Sequence, residues 1–378
     1  MNVKDIPSVM DISEVAGKRV IVRTSLDVPM LDGVVQSDFR IVRAMPTITH
    51  LMLAGAQVIL LTHLGRNPKT TLEVLAQKLK EYVEVTYVPA LIGDAVTEAI
   101  NAMQDGDVIL LENLRSHKGE EENDSEFARM LASYGDYYVN DAFSVSHRAH
   151  ASIVGIPKYL PSFAGVSFLE EYTELTKAFS PEHPSLFIIG GAKFETKEPL
   201  IAEYARDYTH VFVGGALAND FLKAKGFSVG ESLLSPVDLR GNELLKRENI
   251  ITPIDVVVGG DEGKRELLVE HVDTYDTILD VGPRSIDALA PLIKDAKTIV
   301  WNGPLGNYEG GFDDATKRCA EMIAESDAHS VVGGGDTVTA IESLGIGESF
   351  GFVSTGGGAM LDFLEHKTLP GIEALKSK

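Results

Sequence analysis

The sequence predicts an α/β protein of two domains, each a parallel sheet with helices on both faces, joined by a hinge. Three observations carry that expectation. Short apolar, β-branched runs alternate with helix-like segments from Arg19 to Ser354, and strands that alternate with helices pair in parallel. A length of 378 residues suits two domains rather than one or three. Polar or glycine-rich residues follow the strands at His63, Asn113, Asp141, Gly190, Gly214, Asn302, Gly333 and Thr355. In open parallel sheets, ligands sit beyond the carboxyl ends of the strands.

In the first half, Arg19 to Arg23, Val58 to Thr62, Val108 to Glu112 and Tyr137 to Asn140 read as buried strands. Arg40 to Leu53, Thr71 to Tyr82, Asp94 to Met103 and Ser125 to Ser133 read as the helices between them. A joint follows at Pro157 to Gly165, where two prolines and a glycine interrupt the pattern, and an amphipathic helix then runs to about Ala178. Strands resume at Leu186 to Ile189, His210 to Val213, Asp255 to Val258, Thr277 to Asp280, Thr298 to Trp301, Ser330 to Val332 and Phe352 to Ser354. Their helices are Pro199 to Arg206, Ala218 to Lys225, Ser285 to Ile293, Asp313 to Glu325 and Thr337 to Ser343. The expected division is 1–160 for the first domain, 161–180 for the hinge and 181–355 for the second domain, with 356–378 returning to the first.

Composition narrows the function. A net charge of −22 disfavours nucleic acid as a partner, because phosphate backbones repel such a surface. No apolar run reaches the roughly 18 residues of a membrane span, and Met1 to Pro7 lacks the regions of a signal peptide. The single cysteine, Cys319, rules out an intramolecular disulfide and a cysteine metal cage, and reads as a small core residue. A cytoplasmic location is the expectation.

Two glycine triplets stand at strand-to-helix junctions, Gly333-Gly334-Gly335-Asp336-Thr337 and Ser354-Thr355-Gly356-Gly357-Gly358-Ala359. Gly190-Gly191-Ala192-Lys193 is a shorter version. Glycines let backbone N–H groups approach an anion, and a helix N-terminus favours negative charge. Asp336 offers the hard oxygen that Mg²⁺ shares with a phosphate. The first half instead gathers cations at strand ends and helix starts: Asp38-Phe39-Arg40, His63-Leu64-Gly65-Arg66, Glu112-Asn113-Leu114-Arg115 and His147-Arg148-Ala149-His150. A lone surface arginine is ordinarily just solvated, but four at equivalent sheet ends suit a phosphate or carboxylate ligand. His147 and His150 lack the company of a zinc site.

With these segments in view, the chain resembles phosphoglycerate kinase from about Gly17 to Leu375. The strongest elements are His63 to Arg66, Leu111 to Arg115, Asn140 to Phe143 with His147 to His150, Gly190 to Lys193, Trp301 to Gly306, Gly333 to Thr337 and Ser354 to Ala359. The resemblance implies two Rossmann-like domains and reversible phosphoryl transfer between MgATP and the carboxylate of 3-phosphoglycerate, giving ADP and 1,3-bisphosphoglycerate. It implies that Ser25, Asp27, Arg40, His63, Arg66, Arg115 and Arg148 receive the phosphoglycerate or a close analogue. Lys193 and Lys197 match family lysines that contact the nucleotide phosphates and the moving phosphoryl group. Gly214, Gly215, Asn302, Pro304, Gly306 and Thr337 would line the nucleotide, Glu309 would hold the ribose, and Asp336 would ligate Mg²⁺. Gly334, Gly335 and Gly357 would donate N–H groups near the transferred phosphate. Arg40, Lys197, Gly335 and Gly357 are the expected catalytic set, meeting when the cleft closes and excludes water. The expected enzyme is a monomer that takes small-molecule substrates, with no nucleic-acid or membrane partner.

The chain also departs from the family pattern. Arg-Val-Asp-Phe/Leu-Asn-Val-Pro is here Arg23-Thr24-Ser25-Leu26-Asp27-Val28-Pro29. The family Asp and Asn bind the C2 hydroxyl and the neighbouring carboxyl region of the substrate. An anion such as Asp27 beside a substrate carboxylate costs free energy unless it is paired or protonated. Ser144-Val145-Ser146 replaces a usual Gly-Thr-Ala, and Phe194-Glu195-Thr196 replaces small residues between the lysines. Changed acceptor preference, or a weakly active sensor of nucleotide or phosphate ligands, is therefore the alternative expectation. A nicotinamide dehydrogenase and an ordinary P-loop enzyme are excluded, since neither Gly-x-Gly-x-x-Gly after the first strand nor Gly-x4-Gly-Lys-Ser/Thr occurs.

Overall fold

A computed structural model describes residues 5–259 and 263–376. Met1 to Lys4, which open the N-terminal segment assessed above, and the last two residues of the tail lie outside the described residues. The chain divides into two compact units, 1–173 with 366–378, and 174–365.

The first unit is built on a six-stranded parallel sheet. Its order is Thr86–Val88, Val108–Leu111, Gln57–Leu61, Arg19–Thr24, Tyr137–Asp141, Ser162–Ala164. The central strand registers Val20 to Val58 on one side and to Tyr137 on the other. Val20, Val22, Val58 and Leu60 on this sheet pack against Ile41, Ile48 and Leu51 of helix Phe39–Leu53 and against Leu75 and Leu79 of helix Glu73–Leu79. Each fully buried side chain of this kind contributes roughly 1.5–3 kcal/mol. Helix Ser125–Ala132 begins where Asp124 accepts the Phe127 N–H at 2.7 Å, which satisfies one of the first-turn donors.

The second unit has its own six-stranded parallel sheet, in the order Ile250–Ile251, His210–Val213, Ser185–Ile189, Thr298–Asn302, His329–Gly333, Phe352–Val353. Ile188, Ile299 and Trp301 meet Ile286, Leu289 and Ile293 of helix Pro283–Asp295 and Ile323 of helix Asp314–Ala324. Cys319 lies in this core.

Several elements differ from expectation. Asp255–Gly259 and Thr277–Val281, predicted for the parallel sheet, instead form a separate antiparallel sheet with Arg265–Leu268. An apolar run identifies a buried strand but not its partner. Ser162–Ala164, placed in the hinge by its prolines, pairs with Tyr138, Val139 and Asn140 as the edge strand of the first sheet. Thr173, where the first unit gives way to the second, lies within helix Val166–Lys177. The tail joins the first unit from His366 rather than from 356. There Gly371 donates its N–H to Ser146 O at 2.8 Å. Among the described residues no helix is long and apolar enough to cross a membrane.

Candidate active site

In the first unit, the strand ends carry the polar residues that the sequence singled out. Asn113 is the frame. Its Nδ2 donates to Leu64 O and Thr70 O at 3.0 and 2.9 Å. Its Oδ1 accepts the N–H groups of Leu64 and Arg115 at 3.4 and 3.1 Å. One buried amide thus holds the His63–Arg66 turn against Arg115. Arg115 also donates to Gly65 O and lies 3.5 Å from Glu121. Burial first, and then the nearby charge of Arg148, lower the pKa of Arg115. Arg148 is exposed, with its Nε donating to His147 Nε2 at 3.2 Å. Arg66 is exposed at the tip of the same turn, and Arg40 is the second residue of helix Phe39–Leu53.

Asp27 answers the question raised by its own charge. Its Oδ1 accepts the Gly65 N–H at 2.7 Å, and Oδ2 lies 3.5 Å from His63 Nε2. Burial disfavours the carboxylate, but His63, the Gly65 N–H and the Arg40 charge outweigh it and hold the pKa below the usual carboxylate range. The anion is therefore paired within the protein. Ser25 Oγ shares a hydrogen bond of 2.5 Å with Ser144 Oγ. His63 is buried, and desolvation drives its pKa down to about 4 despite Asp27.

The second unit contains a cavity of about 380 Å³. Gly215, Pro304, Gly306, Glu309 and Asp336 line it, together with Asp280. Close backbone approach shapes its base. A Cβ on Gly190 would lie 2.1 Å from Pro304 O, so only glycine fits there. The Gly190 and Gly191 N–H groups donate to Asn302 O and Pro304 O at 2.9 and 2.8 Å. The expected cradle at Gly190-Gly191 therefore does not offer these two amides to a ligand; they hold the loop after Asn302. Gly214 and Gly215 are similarly bonded to Ile189 O and Leu305 O. Gly215 lines the cavity through its backbone, while Gly214 packs beneath Leu305. The side chain of Asn302 is buried, with Nδ2 on Met360 Sδ at 3.5 Å.

The other two glycine clusters stand at helix starts. Gly334 caps helix Gly335–Leu344 with φ +106°, which an L side chain rarely adopts. Gly335, Asp336 and Thr337 form the first turn, whose N–H groups have no intrahelical acceptor. Thr337 Oγ1 is buried there without a hydrogen-bond partner among the described residues. Gly357 has φ +53° just before helix Gly358–His366. Burial, and secondarily Glu309, raise the pKa of Asp336. Lys193 adopts a left-handed conformation and is exposed. Lys197 donates from Nζ to Gly190 O at 2.7 Å, and burial lowers its pKa to about 8.

Three polar residues escaped the sequence reading of the site: Arg23, Glu120 and Asp280. Arg23 carried a signal, a cation inside an apolar strand run. Nothing in the sequence marked Glu120, or Asp280 at the end of an expected strand, as belonging to a site; both are buried, at 1% and 3% exposure.

An α/β fold with arginines at the strand ends of one unit, and a cavity beside a glycine-capped helix in the other, suits a phosphotransferase. The phosphoglycerate kinase family model matches residues 9–367. The chain is 42% identical to phosphoglycerate kinases of Pseudothermotoga lettingae and Brucella abortus, over 97% of this chain and 97% and 98% of theirs. Its fold matches the phosphoglycerate kinase structure from Pyrococcus horikoshii with a TM-score of 0.90 at 32% identity, and that from Coxiella burnetii at 0.83 and 35%. Each structural match covers 98% of both chains. The chain belongs to the phosphoglycerate kinase family.

Proposed function

We propose that the protein is a phosphoglycerate kinase, transferring a phosphoryl group reversibly between MgATP and the carboxylate of 3-phosphoglycerate. Family membership across 9–367, with Arg40, Lys197 and Asp336 all retained, is the observation that carries this reading. Arg40, Arg66, Arg115 and Arg148, with His63, Ser25 and Asp27, take the phosphoglycerate, because guanidinium groups bind phosphate and carboxylate oxygens bidentately. Gly215, Pro304, Gly306 and Glu309 hold the nucleoside in the second unit's cavity. Lys193, Lys197 and the first N–H groups of helix Gly335–Leu344 receive the phosphates, with Asn302, Gly214, Gly334, Gly357 and Thr337 shaping their surroundings. The unpartnered Thr337 hydroxyl fits an anion at this helix end.

Phosphoryl transfer needs little covalent help, so catalysis rests on in-line positioning and on positive charge around the equatorial oxygens. Arg40 and Lys197 supply that charge. An incoming phosphate raises the pKa of Lys197 from about 8 and keeps it cationic. A single half-buried carboxylate, Asp336, fits Mg²⁺, which usually takes one or two protein oxygens together with phosphate and water. Bound there, the ion neutralises phosphate charge. The same reading makes the enzyme a cytoplasmic monomer.

A coupled assay with 3-phosphoglycerate and MgATP tests the function. Wild type turns over, and Arg40→Ala loses turnover by on the order of a hundredfold or more while ATP binding changes little, because the charge acts mainly in the transition state. Equal losses in turnover and ATP affinity contradict the role of Arg40. Nucleotide binding with no wild-type turnover on 3-phosphoglycerate contradicts the function.

A further inference from the structure

The first unit contains a buried polar chain that phosphoryl transfer itself does not require. Arg23 is 1% exposed on the central strand. Its Nε donates to Ser152 Oγ at 3.0 Å, one terminal nitrogen donates to Thr24 O at 2.5 Å, and the other faces His63 Nδ1 at 3.0 Å. Ser152 donates its hydroxyl to one oxygen of buried Glu120 at 2.6 Å and its backbone N–H to the other at 2.9 Å. At the far end, His63 Nε2 faces Asp27, and Asp27 in turn accepts the Gly65 N–H.

The direction of this chain follows from the inventory of donors. A guanidinium has donors only, so the Nδ1 it faces at 3.0 Å carries a lone pair. A neutral imidazole has one N–H, which is then on Nε2, pointed at Asp27. A second ring proton would set an N–H against a buried cation, and burial disfavours the imidazolium as well. At the other end of Arg23, the hydrogen bond to Ser152, itself fixed on Glu120, holds the guanidinium in place.

We propose that Arg23 is a positioning residue that fixes His63 as its Nε2–H tautomer and so makes the His63–Asp27 pair a single hydrogen-bond acceptor, suited to a substrate hydroxyl rather than to its carboxylate. The ring's one N–H faces Asp27 at 3.5 Å, and the Asp27 side chain remains 33% exposed with lone pairs to offer. A carboxylate is repelled at this point and goes to the arginines; a hydroxyl donates to it. The hydroxyl preference rests on the phosphoglycerate reading, whereas the tautomer does not.

The test begins with the ligand-free, full-length protein labelled with ¹⁵N. His63→Gln identifies the His63 ring signals among the 10 histidines. Near pH 7 the ring is expected to carry its proton on Nε2 with Nδ1 bare. A proton on Nδ1, or an imidazolium, overturns the proposal. Arg23→Lys keeps a donor for Nδ1 and is expected to keep the tautomer. Arg23→Met is expected to give a tautomer mixture and to raise KM for 3-phosphoglycerate about tenfold, with kcat within about threefold and KM for ATP unchanged. An unaltered Nε2–H ring in Arg23→Met overturns the positioning role. Where that variant does not fold, the wild-type and Arg23→Lys spectra decide. The analogue lacking the C2 hydroxyl is expected to bind wild type about tenfold more weakly than 3-phosphoglycerate, and Asp27→Ala to lose that preference. A preference that survives in Asp27→Ala overturns the acceptor role. Absence of wild-type turnover contradicts the functional reading alone and leaves the ring spectrum as an independent result.

Discussion

Asp280 should make the stability of the second unit fall as pH rises, and Asp280→Asn should abolish that dependence. The residue is the last but one of strand Thr277–Val281 and borders the cavity. Its two oxygens accept the Val281 and Ala315 N–H groups at 2.9 and 3.2 Å, and a Cβ on Gly306 would come within 2.2 Å of Oδ1. Burial pushes its pKa up to about 7 against those two N–H groups, and the charges of Asp314 and Asp313 add to the rise. The unfolded value is about 3.9. Between these values the folded state holds a proton that the unfolded state has lost. The stabilising contribution is thus full below about pH 3.9 and disappears as pH rises through about 7. At about 1.4 kcal/mol per pH unit the whole window is worth about 4 kcal/mol, of which about 2 to 3 kcal/mol falls between pH 5 and pH 8.

Asparagine has nearly the same shape and no charge to lose, but its amide can accept only one of the two N–H groups, at a cost of about 1–3 kcal/mol. The variant is therefore less stable than wild type at pH 5 and equal or more stable at pH 8. Urea unfolding at the two pH values measures the difference. Trp301 is the only tryptophan; it is fully buried in the same unit, with Nε1 donating to Gly303 O at 2.9 Å, so its fluorescence follows this unit. A gap between wild type and variant that stays the same at both pH values refutes the reasoning.

Two further outcomes are expected. Asp27, whose pKa is depressed, stabilises the first unit fully above about pH 3.9 and loses that contribution as pH falls through its folded value; Asp27→Asn should weaken hydrogen-exchange protection of strand Arg19–Thr24 at pH 6 but not at the acid limit, and equal losses at both would contradict the pairing. In Gly371→Ala a Cβ would sit 2.6 Å from Ser146 Cβ and Oγ, so overpacking of about 1–3 kcal/mol should speed hydrogen exchange in helix Pro370–Leu375, and unchanged exchange would show that the tail is not held at this contact.

The parts of the fold set by local pattern were legible in the sequence. The alternation of apolar runs and amphipathic helices gives both parallel sheets, and the Gly334 cap marks the start of a helix whatever surrounds it. What depends on distant partners was not legible. Nothing within Asp255–Gly259 reveals that it pairs antiparallel with Arg265–Leu268. Gly190 and Gly191 read as an anion cradle because their neighbours along the chain permit it, yet Asn302 and Pro304, more than a hundred residues on, take up both N–H groups. Glu120 is the same case: it is an acid in a run of three glutamates until Ser152 folds over it.

Three of the departures from the family pattern, Ser25, Ser144 and Asp27, have acquired partners. Ser25 and Ser144 each replace a family residue, and they lie 119 positions apart in sequence, yet they hydrogen-bond to each other. A serine where the family has glycine supplies a partner to the shorter side chain at position 25, so neither hydroxyl is stranded. Asp27 likewise enters a frame already equipped for an anion, with the Gly65 N–H and the His63 ring close by and the Arg40 charge in reach. The cations remain beside these partnered changes, whereas the hydroxyl of Thr24, where the family pattern has valine, is buried without a partner among the described residues.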